Sequence, residues 1–97
     1  MPDFDFMPAD ISNWLVPLSR PIAPTSGPLR EMHNLLDARR AIEEDLPIYL
    51  HDTIRWGVVR RALILAAKLN TLDQVERASR LLATAIKNEG WQISQRP

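Results

Sequence analysis

Few of the 97 residues combine a type and a spacing that could carry chemistry. The two histidines are His33 and His51. His33 and Asp37 would form a two-ligand cluster if a helix began early, but two ligands do not hold a metal and no third lies near in sequence. A surface or capping histidine is the expectation. The absence of cysteine excludes a thiolate metal site, a disulfide framework and a cysteine nucleophile together. Ser12, Ser19, Ser26, Ser79 and Ser94 lack the context of a nucleophile elbow. Gly27, Gly57 and Gly90 are isolated, so no glycine-rich phosphate loop is present. The run Glu43-Glu44-Asp45 reads as the solvated acidic end of a helix rather than as a catalytic carboxylate pair. The expectation is a protein with no catalytic residues, no metal, no cofactor and no evident small-molecule substrate.

Residues suited to binding are more numerous. Arg77, Arg80, Thr84 and Lys87 recur at i, i+3, i+7 and i+10, opposite the apolar face of a helix. They could meet phosphates or an acidic partner, although Asp73 and Glu76 dilute the field. Arg60, with Arg61 and Lys68, lies away from the apolar stripe of the preceding helix. Trp56 stands beside Arg55 near the edge of that stripe. It is either core or, if exposed, an anchor for a protein partner or a homodimer. The formal net charge is zero. Residues 1–33 hold four acidic and two basic residues, and residues 34–97 hold eight and ten. Neither half has the excess that phosphate-dominated binding needs. The reading is a small interaction or regulatory module that binds a protein partner or itself. The alternative is a nucleic-acid-associated regulator using Arg77 and Arg80.

These residues must be positioned by a fold, and the sequence outlines one. Six of eight prolines fall in the first 28 residues, which argues against long helices there. Residues 1–12 read as a flexible tail and residues 13–97 as a single small domain. Trp14, Val16 and Leu18 alternate with Leu15, Pro17 and Ser19, as in a strand over Ile11–Ile22 with one buried face. Pro17 makes that strand an edge, or pairs it only on the side its missing N–H does not need. Pro24 to Pro28 form a turn, and Leu29–His33 return as a second short strand.

Three helices follow. The first is expected over Leu35–Leu46, capped by Asn34, with Arg39–Glu43 and Arg40–Glu44 pairs outside and a stop at Pro47. The second is expected over Leu50–Leu69. Its stripe is Leu50, Ile54, Val58, Ala62, Leu65 and Leu69, widened by Val59, Leu63 and Ala66. The third opens with a capping box at Thr71–Gln74 and ends in a Schellman motif at Gly90–Trp91, with Leu72, Val75, Ala78, Leu82, Ala85 and Ile86 on its apolar face. The link Asn70–Thr71 is so short that the last two helices must be antiparallel neighbours. The fold class is therefore α+β: an N-terminal β-hairpin packed on three α-helices, the last two an antiparallel helical hairpin. The acidic start Met-Pro-Asp-Phe-Asp-Phe is unlike a secretory signal, and the apolar run Ala62–Ala67 is far short of a membrane span. A cytoplasmic location without membrane contact is expected.

The order of motifs resembles a known family. Trp14-Leu-Val-Pro17-Leu18, then Arg30-Glu-Met-His-Asn-Leu-Leu-Asp-Ala38 leading to Asp45-Leu46-Pro47, then Arg61-Ala62-Leu63, then Arg77-Ala78 through Asn88-Glu89-Gly90-Trp91 are similar to the short alphaproteobacterial proteins, common in rhizobia, grouped as domain-of-unknown-function family 982. The likeness spans Trp14 to Ile93. It implies a β-hairpin on three helices, and no activity or site residues.

Overall fold

Proline placement explains the front of the molecule. The computed structural model describes residues 13–94, so the tail assigned to residues 1–12 lies outside the described residues. Strand β1 (Pro17–Ile22) pairs antiparallel with β2 (Met32–Asn34). The register sets Pro17 opposite Asn34 and Ile22 opposite Met32, with an irregularity between them because six residues oppose three. Leu18, Ile22 and Met32 point into the core. Trp14 is buried too, but from a helical turn before the strand, and Val16 is only partly covered. The alternating Trp14–Val16–Leu18 face therefore holds at its two ends.

Two of the six β1 residues are prolines, so the strand has few free donors. One remaining donor, the Ser19 N–H, bonds the Ser79 Oγ at 3.1 Å. That hydroxyl donates in turn to the Val75 carbonyl at 2.8 Å.

A contact the sequence did not suggest closes this edge. The Thr25 N–H donates to the Gln92 carbonyl at 2.7 Å, and the Ser94 N–H donates to the Ala23 carbonyl at 2.9 Å. Pro24 and Ile93 thereby form an antiparallel bridge. The Gln92 N–H also reaches the Ser26 Oγ at 2.9 Å. Gly27 (φ +86°) lies under the Trp91 ring, and a Cβ there would stand 2.4 Å from Trp91 Cγ.

Helix α1 (Leu35–Arg40) begins as expected, with the Asn34 side chain accepting the Asp37 N–H at 2.8 Å. It does not run uniformly to Leu46. Residues Ala41–Asp45 widen into a π-helical turn, closed by the Leu46 N–H on the Ala41 carbonyl at 2.9 Å. At this turn the expected solvated acids are in use. Asp45 accepts the Arg30 backbone N–H (3.0 Å), Nε (2.7 Å) and Nη2 (3.0 Å), and Glu44 accepts Nη2 at 2.8 Å. Glu44 therefore pairs with Arg30 and not with Arg40. A forked guanidinium contact outcompetes an exposed i, i+4 pair. The expected Arg39–Glu43 pair does form, at 3.0 Å.

Hydrogen bonding from Arg30 holds the Asp45 carboxyl below the usual carboxylate range, and the two carboxylates hold the Arg30 guanidinium above its ordinary value. The stability contributed by Asp45 is present above the ordinary carboxylate pKa and is lost as pH falls through the lowered one.

The second helix also differs from expectation. A short helix α2 (Ile48–His51) stops at Asp52–Thr53, and α3 (Ile54–Leu69) starts afresh. Thr53 turns its hydroxyl back onto the Leu50 carbonyl at 2.7 Å, which breaks what periodicity reads as continuous. Arg60 Nη2 then ties α3 to the His51 carbonyl at 3.0 Å.

Helix α4 (Leu72–Asn88) follows Asn70 in the left-handed conformation and Thr71 as N-cap. The Thr71 hydroxyl accepts the Gln74 N–H at 3.3 Å, but the return half of the capping box does not form: Gln74 Oε1 is buried without a partner. The Schellman ending is present. The Trp91 N–H reaches the Ile86 carbonyl and the Gly90 N–H reaches the Lys87 carbonyl, with Gly90 at φ +87°. The fold is the expected α+β arrangement: α3 and α4 form an antiparallel hairpin, α4 packs on β1, α3 packs on α1, and α1 packs on β2.

The core-facing side of α3 needs a correction. Trp56, Val59, Ala62, Leu63, Ala66 and Ala67 are buried. Of the proposed stripe, Ile54, Leu65 and Leu69 are exposed (85%, 39% and 54%). Ala62 and the widening residues Val59, Leu63 and Ala66 are buried as expected, so the core side is the stripe's flank and not its centre. Leu72, assigned to the apolar face of α4, is 87% exposed.

Candidate functional site

The backbone order just described gathers side chains into two surface grooves. The first lies between the Trp14 turn, α1 with its π-helical extension, and α3. Trp14, Ile42, Leu63, Ile64 and Ala67 form an apolar floor, and Arg39, Arg60, Lys68 and Glu43 form the rim. The space is about 450 Å³, within the range of small ligand sites and enough for a few side chains of a peptide. The Asn13 side chain fixes one end by donating to the Ala67 carbonyl at 3.0 Å. The Arg39 guanidinium sits 4.9 Å from the centre of the Trp14 ring and also holds Glu43. Stacking and ion pairing thus orient one rim cation over the floor. Three cations face one carboxylate here. That carboxylate is already engaged by Arg39, so the rim remains positive.

The second groove runs between β1 and the outer side of α4. It holds Arg20, Arg80 and Lys87, with Glu76, the hydroxyls of Ser19, Ser79 and Ser94, and apolar contacts from Ile22, Ala83 and Ile93. Its volume is also about 450 Å³, but its lining is more polar.

The residues singled out from sequence separate accordingly. Arg80 and Lys87 come together in the second groove, joined by Arg20, which the helix spacing had no means of suggesting. Arg77 is exposed but is not part of that groove. Arg60 lines the first groove, half-buried by its bond to His51.

Trp56 is corrected outright as a binding residue. It is fully buried, and its indole N–H donates to Glu89 Oε2 at 3.0 Å. Arg55 approaches the same carboxylate at 3.9 Å. A large ring with one polar tip fits a core site that offers one acceptor. The anchor reading of Trp56 therefore falls.

Trp14, Arg39 and Ile64 carry no binding signal in the sequence; Lys68 stands there only beside Arg60 and Arg61. One signal was present: α3 has Arg55, Arg60, Arg61 and Lys68 and no acidic residue.

Both histidines serve local structure. His33 contacts Glu31 at 2.9 Å, and its backbone N–H donates to Asp37. His51 Nε2 lies 2.8 Å from the Leu46 carbonyl. Neither lines a groove. Among the described residues, no three His, Asp or Glu side chains cluster as metal ligands, and no helix is long and apolar enough to cross a membrane. No family model, curated protein or solved structure matches the chain.

Proposed function

We propose that this protein is a non-enzymatic interaction module whose Trp14–α3 groove docks an acidic, apolar segment of a protein partner. The observation that carries this reading is the pairing of an apolar floor with a rim of Arg39 from α1 and Arg60 and Lys68 from α3, a helix that contains no acid. Apolar side chains fill such a floor, and carboxylates meet the cations at its edge. Two copies meeting through α3 would set cation against cation, so charge favours a partner of opposite sign over a symmetric homodimer.

The test is anisotropy of a fluorescein-labelled peptide of alternating aspartate and phenylalanine. Binding that weakens with salt and falls at least tenfold in Lys68→Glu and in Ile64→Glu supports the reading. Equal binding by both variants overturns it.

One observation favours a second reading. Arg20 joins Arg80 and Lys87 across the second groove, a better phosphate platform than a helix face alone. A gel shift at low salt, abolished by Arg80→Glu, would support nucleic-acid contact. No shift at micromolar protein would end that reading.

A further inference from the structure

Helix α3 carries a second exposed feature, outside the groove beside Trp14. Ile54, Val58, Arg61, Leu65 and Leu69 follow one another at helical intervals, and none of the five lines that groove. At 3.6 residues per turn they fall within an arc of about 80° and run about 22 Å along the helix axis. Ile54, Leu65 and Leu69 are exposed and Val58 is half-buried, while Trp56, Val59 and Leu63 take the opposite side into the core. The strip is thus a straight apolar ridge interrupted once, by an exposed Arg61.

Gly57 borders this strip one turn before Arg61. A Cβ at that position would meet nothing within 4 Å, so no neighbour inside the protein requires a glycine there. The position is helical, a conformation that alanine supports better. The missing side chain leaves a notch on the outer side of the helix, of the kind into which a side-chain ridge of another helix fits.

Charge decides what covers the strip. The four charged residues of α3 (Arg55, Arg60, Arg61 and Lys68) are all cations. Arg61 stands at the midpoint of the strip. Two copies crossing antiparallel about a two-fold axis would bring the midpoint onto its own copy and set Arg61 against Arg61. A membrane surface would draw the midpoint of the strip toward the acyl chains, and the notch at Gly57 would have no use there. A partner helix with a carboxylate within its apolar seam satisfies Arg61 and fills the notch together.

We propose that the Ile54–Leu69 strip of α3 docks one amphipathic, acidic helix of a partner protein. Its apolar residues lie against Val58, Leu65 and Leu69, a large side chain enters the notch at Gly57, and a carboxylate meets Arg61. A single helix buries little area, so the contact is transient. This surface is separate from the Trp14–α3 groove, and its test does not depend on that groove.

The probe is a fluorescein-labelled, stapled helical peptide of leucine, alanine and glutamate, titrated with the full chain by anisotropy. Saturable binding is expected, weakened about tenfold by each of Gly57→Leu, Arg61→Glu and Leu65→Gln. A peptide with lysine in place of glutamate should bind about tenfold more weakly than the parent peptide. Urea unfolding of Gly57→Leu should show no loss of stability, which separates a filled notch from a misfolded variant. The aspartate–phenylalanine peptide should bind Gly57→Leu and Leu65→Gln as it binds the parent, because neither residue lines the groove. No binding of the helical peptide at millimolar protein, or equal binding by the parent and the three variants, would overturn the proposal and leave the groove reading standing. Equal binding of the lysine peptide would overturn it as well. A dimer in sedimentation at micromolar protein, dissolved by Leu65→Gln, would overturn it in favour of a second copy. Binding to vesicles of equimolar phosphatidylserine and phosphatidylcholine, lost in Leu65→Gln, would overturn it in favour of a membrane.

Discussion

Helices α3 and α4 are nearly equal in length and pack against each other, yet they relate to solvent in opposite ways. Helix α4 is one-sided. Its buried residues Val75, Ala78, Leu82, Ala85 and Ile86 form one stripe, its outer face mixes acids and bases, and both ends carry local stop signals. Helix α3 is apolar on two sides. One side, with Trp56, Val59, Leu63 and Ala66, is in the core, and the other exposes Ile54, Leu65 and Leu69 among cations alone. The two helices thus differ in what they leave in water: α4 a mixed-charge face, α3 an apolar face among cations that lies outside the Trp14–α3 groove.

Four substitutions would break or sharpen that division. The largest effect belongs to the core side of α3. Trp56→Ala removes a fully buried ring and leaves Glu89 without its indole partner, so a loss of about 3–5 kcal/mol is expected in urea unfolding. A loss under 1 kcal/mol would mean that the two sides of α3 have been exchanged. Next comes the C-terminal stop of α4. Gly90→Ala forces a side chain into the left-handed region and should cost about 1–2 kcal/mol. A neutral result would show that α4 does not depend on its Schellman ending. Smaller, and opposite in sign, is Gly57→Ala. A Cβ there meets nothing within 4 Å, and the position is helical, so thermal unfolding should show a gain of about 0.5–1 kcal/mol. A destabilised variant would place a neighbour against α3 at that point. The smallest effect is expected on the outer side. Leu65→Gln should change stability by less than about 0.5 kcal/mol, since the side chain is 39% exposed. A large loss would return that side to the core.

What could be read from sequence followed the range of the interactions. Helix α4 was legible from Thr71 to Trp91 because its caps involve residues a few positions apart. The hairpin was legible from Pro17 and the turn at Gly27. The facing of α3 was legible in part: Val59, Ala62, Leu63 and Ala66 are in the core as expected, but Ile54, Leu65 and Leu69 are not, because apolar residues recur at helical spacing on both sides. Periodicity alone then admits two solutions, and Trp56 decides between them only through Glu89, 33 residues away. The break at Thr53 escaped because a threonine hydroxyl turning on Leu50 has no periodic signature. The π-helical turn and the use of Asp45 by Arg30 depend on a partner 15 residues earlier. The groove was hidden for the same reason. Trp14, Arg39 and Lys68 belong to three separate segments, and no spacing within one segment brings them together.

The bridge between Pro24 and Ile93 has a consequence for synthesis. The turn that ends β1 finds its backbone partners only in Gln92 and Ser94, nearly seventy residues downstream. While the chain is being made, that stretch leaves the ribosome with its edge unpaired and waits for the residues up to Ser94 to follow. Contacts of such long range form late and slow folding. Pro17 and Pro21 on the waiting strand then gain a second meaning: they spoil the edge as a template for other nascent chains during the interval in which its own cover has not yet been translated.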